Sequence, residues 1–218
     1  MISNVAEECA ILPMLDFTPF ATAEDRGVWE GLSPDLRTQL VAAGEEFLGL
    51  EWPLVRATDY LEYVESGDRS RHAQRYFDRR FAIGNLAIAE CVEGKGRFLR
   101  DLVDGLWLVC EETSWVIPAH EGEASRYAGP FPSWHVPDQG MDLFAAETGA
   151  LLSWTRYLLG GAFEKLFPAV YDRVADEVKA RIIRQFEDRT DLWWMGLEPS
   201  YHGYLNNWTP WCVTNCLA

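Results

Sequence analysis

Two segments of this chain are apolar on nearly every side of a helix, and each is followed by glycines and then by a helix with a single apolar stripe. In the first, FAIGNLAIAECV (Phe81 to Val92) closes a segment running from Ser70 to Glu93, and a helix of that kind must be surrounded by other elements. Gly94-Lys95-Gly96 predicts a tight turn, and Phe98, Leu99, Leu102, Val103, Leu106, Trp107 and Cys110 mark a returning helix with its charges on the other face. The pattern then recurs. MDLFAAETGALLSWTRYLL (Met141 to Leu159) is again apolar almost all round, Gly160-Gly161 predicts the turn, and Phe167, Val170, Val174, Val178, Ile182 and Phe186 lay one stripe on a charged helix. A third inner helix is expected to begin near Trp208. A repeated hairpin is the mark of a stacked helical array in which each unit buries its neighbour's face. The expected class is therefore all-α, with antiparallel hairpins whose inner and outer helices alternate and curve toward a ring.

Residues 1–32 show no sustained period and read as an arm, with Phe17, Phe20 and Trp29 as anchors, ahead of a body spanning 33–218. Ser33-Pro34-Asp35 predicts a helix start: a capping hydroxyl, proline in the first turn, and an acid beside the positive end of the helix. Leu36, Leu40, Ala43, Phe47 and Leu50 extend that helix toward Pro53, and a shorter amphipathic helix is expected over about Leu54 to Val64. Glycine turns join inner to outer helices, whereas two long aromatic stretches, Glu111 to Gln139 and Glu187 to Asn207, join outer to inner ones. Antiparallel packing puts both stretches at one end of the array. A cleft is expected there, with the N-termini near Met141 and Trp208 aimed at it and suited to a carboxylate.

The second aromatic stretch is the densest. Between Leu192 and Cys216 lie four of the chain's ten tryptophans, beside Tyr201, His202, Tyr204 and the pair Asn206-Asn207. Aromatic faces and amide side chains suit a polar, ring-shaped ligand such as a sugar. The candidate platforms are Trp115, Trp134, Trp193, Trp194 and Trp208, joined by His120, Tyr201 and Tyr204. His202 and His120 are candidate acid–base groups. Asn206 and Asn207 have two readings, helix capping or an amide that meets a substrate acid. Glu111-Glu112 and Asp142/Glu147 supply carboxylates near the same end, without a spacing that singles out a pair for glycoside hydrolysis.

Charge narrows the partners. With 34 acidic against 19 basic side chains, the net charge of −15 disfavours nucleic acid and anionic membranes. An acidic substrate would need a local basic cluster, for which Arg75, Arg79, Arg80 and Arg126 are candidates; surface ion pairs are their plainer reading. Five cysteines, Cys9, Cys91, Cys110, Cys212 and Cys216, form an odd set read as free thiols, with no metal and no cofactor expected. The start, MISNVAEECAILPML, has no basic lead before its apolar run, so a cytoplasmic location is expected. No GxSxG, Walker loop, GxGxxG or HExxH occurs.

Three runs resemble a known family. CEETSWVIPAH (Cys110 to His120), DLFAAETGALLSW (Asp142 to Trp154), and WWMG (Trp193 to Gly196) followed by NNWTPWCVTNCL (Asn206 to Leu217) are similar to the helical domain of heparinase II/III-type polysaccharide lyases, from about Gly31 onward. The resemblance implies an incomplete (α/α) toroid, followed in that family by further hairpins and a β-sandwich. It implies β-elimination on uronate-containing polysaccharide. There a side-chain amide neutralises the sugar carboxylate, a Tyr or His removes the C5 proton, and a Tyr protonates the leaving oxygen. Asn207 matches the amide, with Asn206 second and His202 as a further catalytic candidate. Some branches carry a His directly after the Asn, where this chain has Trp208. The family's catalytic Tyr and second His fall beyond Ala218, so little lyase activity is expected of this chain alone. Two other readings stand beside it: a carbohydrate-binding or scaffold protein on an α/α fold, and an α/α-toroid glycoside hydrolase. The oligomeric state is left open.

Overall fold

Ser33 begins the first long helix as predicted, its Oγ accepting from Leu36 N at 3.3 Å with Pro34 in the first turn. The computed structural model describes residues 18–121, 139–197 and 206–218. Regular elements among these residues are all helical: α1 (Arg26–Glu30), α2 (Pro34–Glu45), α3 (Ala57–Ser66), α4 (Ser70–Glu93), α5 (Leu99–Cys110), α6 (Leu143–Leu158), α7 (Gly160–Leu166), α8 (Pro168–Val178), α9 (Arg184–Asp188) and α10 (Trp208–Leu217). One π-helical turn, Lys179–Ile183, joins α8 to α9, and short 3-10 turns cover Pro118–His120 and Trp193–Met195. None of the described helices is long and apolar enough to cross a membrane.

Helix α2 stops earlier than its stripe predicts. After Glu45 the chain tightens through Phe47 N to Gly44 O, Leu48 N to Glu45 O and Leu50 N to Phe47 O, each reaching only three residues back, with Gly49 left-handed at φ 68°. Leu36 consequently stays 41% exposed, off the packed face, while Phe47 reaches the Phe81 ring edge-on at 5.8 Å. What α2 does bury is Gly44, which lies against Ala89 of α4.

The all-round apolar helices are enclosed as their composition requires. Helix α4 has α2 on one flank and α6 on the other, and α6 in turn packs against α10; α5 covers α4, and α8 covers both α5 and α6. Ile83, Leu86 and Ala89 of α4 and Ala146 and Leu152 of α6 are fully buried between these layers. The first hairpin turns where predicted, with Gly94 and Gly96 at φ 68° and 78°. The second does not. Gly160 and Gly161 lie inside α7, and the helical run breaks at Leu159 and Phe167 instead. Gly161 faces a distant residue, since a Cβ there would meet the Glu24 carboxylate, whereas a Cβ on Gly160 would make only ordinary contact with Tyr171.

Glu24 belongs to a strap that the described part of the arm lays across the C-terminal ends of α4 and α6. Ala23 N donates to Leu158 O at 2.8 Å, and Tyr157 OH donates to Phe20 O at 2.7 Å. The Arg26 guanidinium donates to Cys91 O and Val92 O at 2.6 and 2.9 Å, placing a cation on carbonyls at the negative end of α4. Trp29 is buried beneath it, with Nε1 donating to Thr22 O at 2.7 Å.

The α2–α4 contact gives a sharp test. Propensity alone makes Gly44→Ala favourable by about 1 kcal/mol, but the added methyl would overlap the Ala89 Cβ. The variant is expected to be destabilised by about 1–3 kcal/mol through overpacking, read as a lower urea midpoint.

Candidate functional site

Asp142 closes the N-terminus of α6: its Oδ1 accepts from Ala145 N at 2.7 Å and the residue is fully buried. Its other oxygen, Oδ2, lies 2.7 Å from His120 Nδ1, at the end of the Pro118–His120 turn. A carboxylate only accepts hydrogen bonds, so Nδ1 carries the proton and Nε2 is left as the basic nitrogen. The imidazole is flanked by Phe144, stacked at 5.6 Å and 8°, and by Trp208 at 4.7 Å, and Trp208 meets Trp193 at 4.9 Å. The starts of α6 and α10 therefore share one aromatic patch, in which Trp193 is half-buried and the His120 side chain is 14% exposed.

At the start of α10 the two asparagines separate. Asn206 Oδ1 accepts from Trp208 N at 2.7 Å, so that oxygen is used as a cap. Asn207 is exposed and makes no side-chain capping bond. Its amide remains open, whereas the first-turn N–H groups of α10 are used: Trp208 N is taken by Asn206 Oδ1, Thr209 N by Asn206 O, and Pro210 has none.

The other sequence candidates are dispersed. Trp115 and Trp194, expected as ligand platforms, lie in the core: Trp115 Nε1 donates to Val109 O at 2.9 Å and Trp194 Nε1 to Met141 O at 2.8 Å, with both rings covered. Trp134, Tyr201, His202 and Tyr204 lie outside the described residues, as do Cys9, Phe17 and Arg126. Arg79 and Arg80, read as a surface set, are buried on one carboxylate. Glu112 receives Arg79 Nη1 at 3.0 Å and Arg80 Nη2 at 2.7 Å, and Arg80 Nε continues to Thr148 Oγ1 at 2.7 Å. Arg75 pairs with Asp59. The acid set considered for glycoside hydrolysis is likewise dispersed, since Glu112 is neutralised by arginines, Glu111 faces Arg173 at 3.8 Å, and Asp142 serves a cap and an imidazole.

Cys91, Cys110, Cys212 and Cys216 are free thiols, and burial pushes Cys91, Cys110 and Cys216 each up to about 12. Among the described residues no three His, Cys, Asp or Glu side chains gather closely enough to hold a metal ion.

Two buried groups near the site escape a reading by residue type. His72 of α4 is 1% exposed between Tyr60 at 4.5 Å and Tyr76 at 6.0 Å, and neither ring nitrogen has a hydrogen-bond partner. Loss of solvation lowers its pKa to about 4, against a pull upward from Glu112 and Asp59. Glu121, next to His120, is pushed up to about 7 by burial and by Asp142, opposed by the Ser114 hydroxyl. Only the pairing of Asp142 with His120 carried a sequence signal, since an Asp before an apolar helix is a capping position.

Comparison of the chain with protein-family models and with curated proteins finds no match.

The two buried groups act on stability with opposite signs. The His72 contribution is complete above its ordinary pKa of 6.5 and is lost as pH falls toward 4, because the unfolded chain binds the proton more readily. Neutral Glu121 contributes below its ordinary 4.5, and that contribution is lost as pH rises through about 7. In a Glu121→Gln background, urea denaturation is expected to show a loss of about 3 kcal/mol between those His72 limits. Adding His72→Phe should flatten that slope.

Proposed function

We propose that this chain is the helical-toroid portion of a polysaccharide lyase of the heparinase II/III type, acting on uronate-containing polysaccharide by β-elimination. The observation that carries the reading is the patch at the starts of α6 and α10, where His120, Trp193 and Trp208 are in ring contact beside the open amide of Asn207. The layering of α4, α6 and α10 behind α5 and α8 is what an (α/α) toroid extends into a ring. In this reading the sugar stacks on the half-buried Trp193, with Trp208, 9% exposed, supporting that ring from the core. The Asn207 amide binds its carboxylate, and neutralising that charge acidifies the adjacent C5 proton. His120 Nε2, with the imidazole held by Asp142, is the described group suited to accept that proton. The C5–H electrons form the new double bond as the glycosidic oxygen leaves with a proton from an acid, a role the family resemblance gives to a tyrosine.

Calorimetric titration with an oligoglucuronate, against a neutral gluco-oligosaccharide of equal length, tests the assignment. The acidic ligand is expected to bind in preference, and Asn207→Ala to weaken it about tenfold, the scale of one charge-assisted hydrogen bond. Equal affinity of the variant and the parent protein for the oligoglucuronate would remove Asn207 from the site.

A further inference from the structure

A second concavity lies between α4 and α6 and shares only Phe144 with the aromatic patch. Its volume is about 500 Å³, within the range of small-molecule sites. Phe77, Phe81, Gly84 and Ile88 on α4 face Phe144, Glu147, Thr148 and Leu151 on α6, and Leu40 of α2 closes one side. The walls are mostly hydrocarbon. Phe81 is 66% exposed and Phe77 is 37% exposed, so two large rings stand open. Arg80 reaches the floor, but its guanidinium is taken up by Glu112, Thr148 and Tyr76 O.

Two features mark this groove as built to hold something. The first is Glu147, the groove's one carboxylate, which has no hydrogen bond or ion pair among the described residues. The residue is exposed overall, and partial burial of its carboxyl raises its pKa, partly offset by Arg80 and reinforced by Asp142. The second is Gly84, in the interior of a 24-residue helix, where glycine costs about 1 kcal/mol relative to alanine. Packing within the chain does not demand it. An added Cβ would meet only Leu151 Cδ1, at 3.8 Å, whereas Gly44 and Gly161 are both crowded by neighbours. The missing side chain leaves room in the groove and in no packed contact of the described chain.

We propose that the groove between α4 and α6 binds a small organic cation with an apolar body, its ammonium group placed between the Glu147 carboxylate and the faces of Phe77, Phe81 and Phe144. A carboxylate without an ion pair that lines the same groove as three phenylalanines supplies both elements of ammonium recognition. A net charge of −15 favours such a ligand at long range, and the apolar walls take the remainder. The site is independent of the uronate assignment and opposite to it in ligand charge.

The test is calorimetric titration of the chain with benzyltrimethylammonium, 2-phenylethanol and 3-phenylpropionate, which share a phenyl group and differ in charge. The cation is expected to bind best. Glu147→Gln should weaken it about tenfold, and Gly84→Leu should abolish it by filling the groove. Gly84→Ala serves as the folding control and is expected to melt at or above the parent temperature. Indifference of the cation to Glu147→Gln, equal binding of the alcohol or the anion, or no binding by the folded protein would overturn the proposal. So would a concentration-dependent dimer broken by Gly84→Leu in sedimentation, which would give the groove to a second copy of the chain.

Discussion

A single buried carboxylate holds the architecture in register. Glu112, just past the end of α5, accepts from Arg79 and Arg80 on α4, and Arg80 passes on to Thr148 on α6. Ions taken out of water cost several kcal/mol each unless their hydrogen bonds are completed, so these side chains tolerate little displacement of one helix along another. Tyr76 adds to the same knot, its hydroxyl lying 2.9 Å from Trp115 O, 3.0 Å from Phe144 O and 2.8 Å from Thr148 Oγ1. The segment leading to His120 and the first turn of α6 are thereby referred to one point. That is why His120 and Asp142, from separate elements, meet at hydrogen-bond distance.

The rings form an unbroken series on this frame. Trp193, Trp208, His120, Phe144 and Phe77 contact one another in turn, with centroids 4.7 to 5.6 Å apart. The series runs from the starts of α6 and α10 to the groove between α4 and α6, and its polar character falls along the way. At the tryptophan end, amides and an imidazole offer hydrogen bonds. At the phenylalanine end a lone carboxylate stands among hydrocarbon. Different ligand chemistries suit the two ends, and Phe144 is common to both.

Local signals carried the sequence reading where local physics decided the outcome. Ser70–Glu93 and the turn at Gly94 follow from an all-round apolar segment that ends on a left-handed glycine, and Ser33-Pro34 marks its helix start without outside help. Where the deciding partner was distant, residue type misled. Gly160-Gly161 looks like a turn but lies inside α7, where Gly161 meets the Glu24 carboxylate 137 positions away. Arg79 and Arg80 look like a solvated face and are buried by a carboxylate 32 positions beyond Arg80. Trp115 and Trp194 have the composition of a sugar platform, but each indole N–H found a main-chain carbonyl in the core. His72 shows the same limit from the other side, since nothing in its neighbourhood in the sequence announces an imidazole without partners.

The strap across the ends of α4 and α6 also orders the assembly of the molecule in time. The bond from Tyr157 to Phe20 joins residues 137 apart, and Ala23 N reaches Leu158 O over nearly the same span. Closing so large a loop is entropically costly until intervening contacts have shortened it. Growing from its N-terminus, the polypeptide must finish α6 before Phe20 and Ala23 have their partners, whereas the α4 carbonyls that Arg26 binds are made earlier. The first residues described are in this sense among the last to dock.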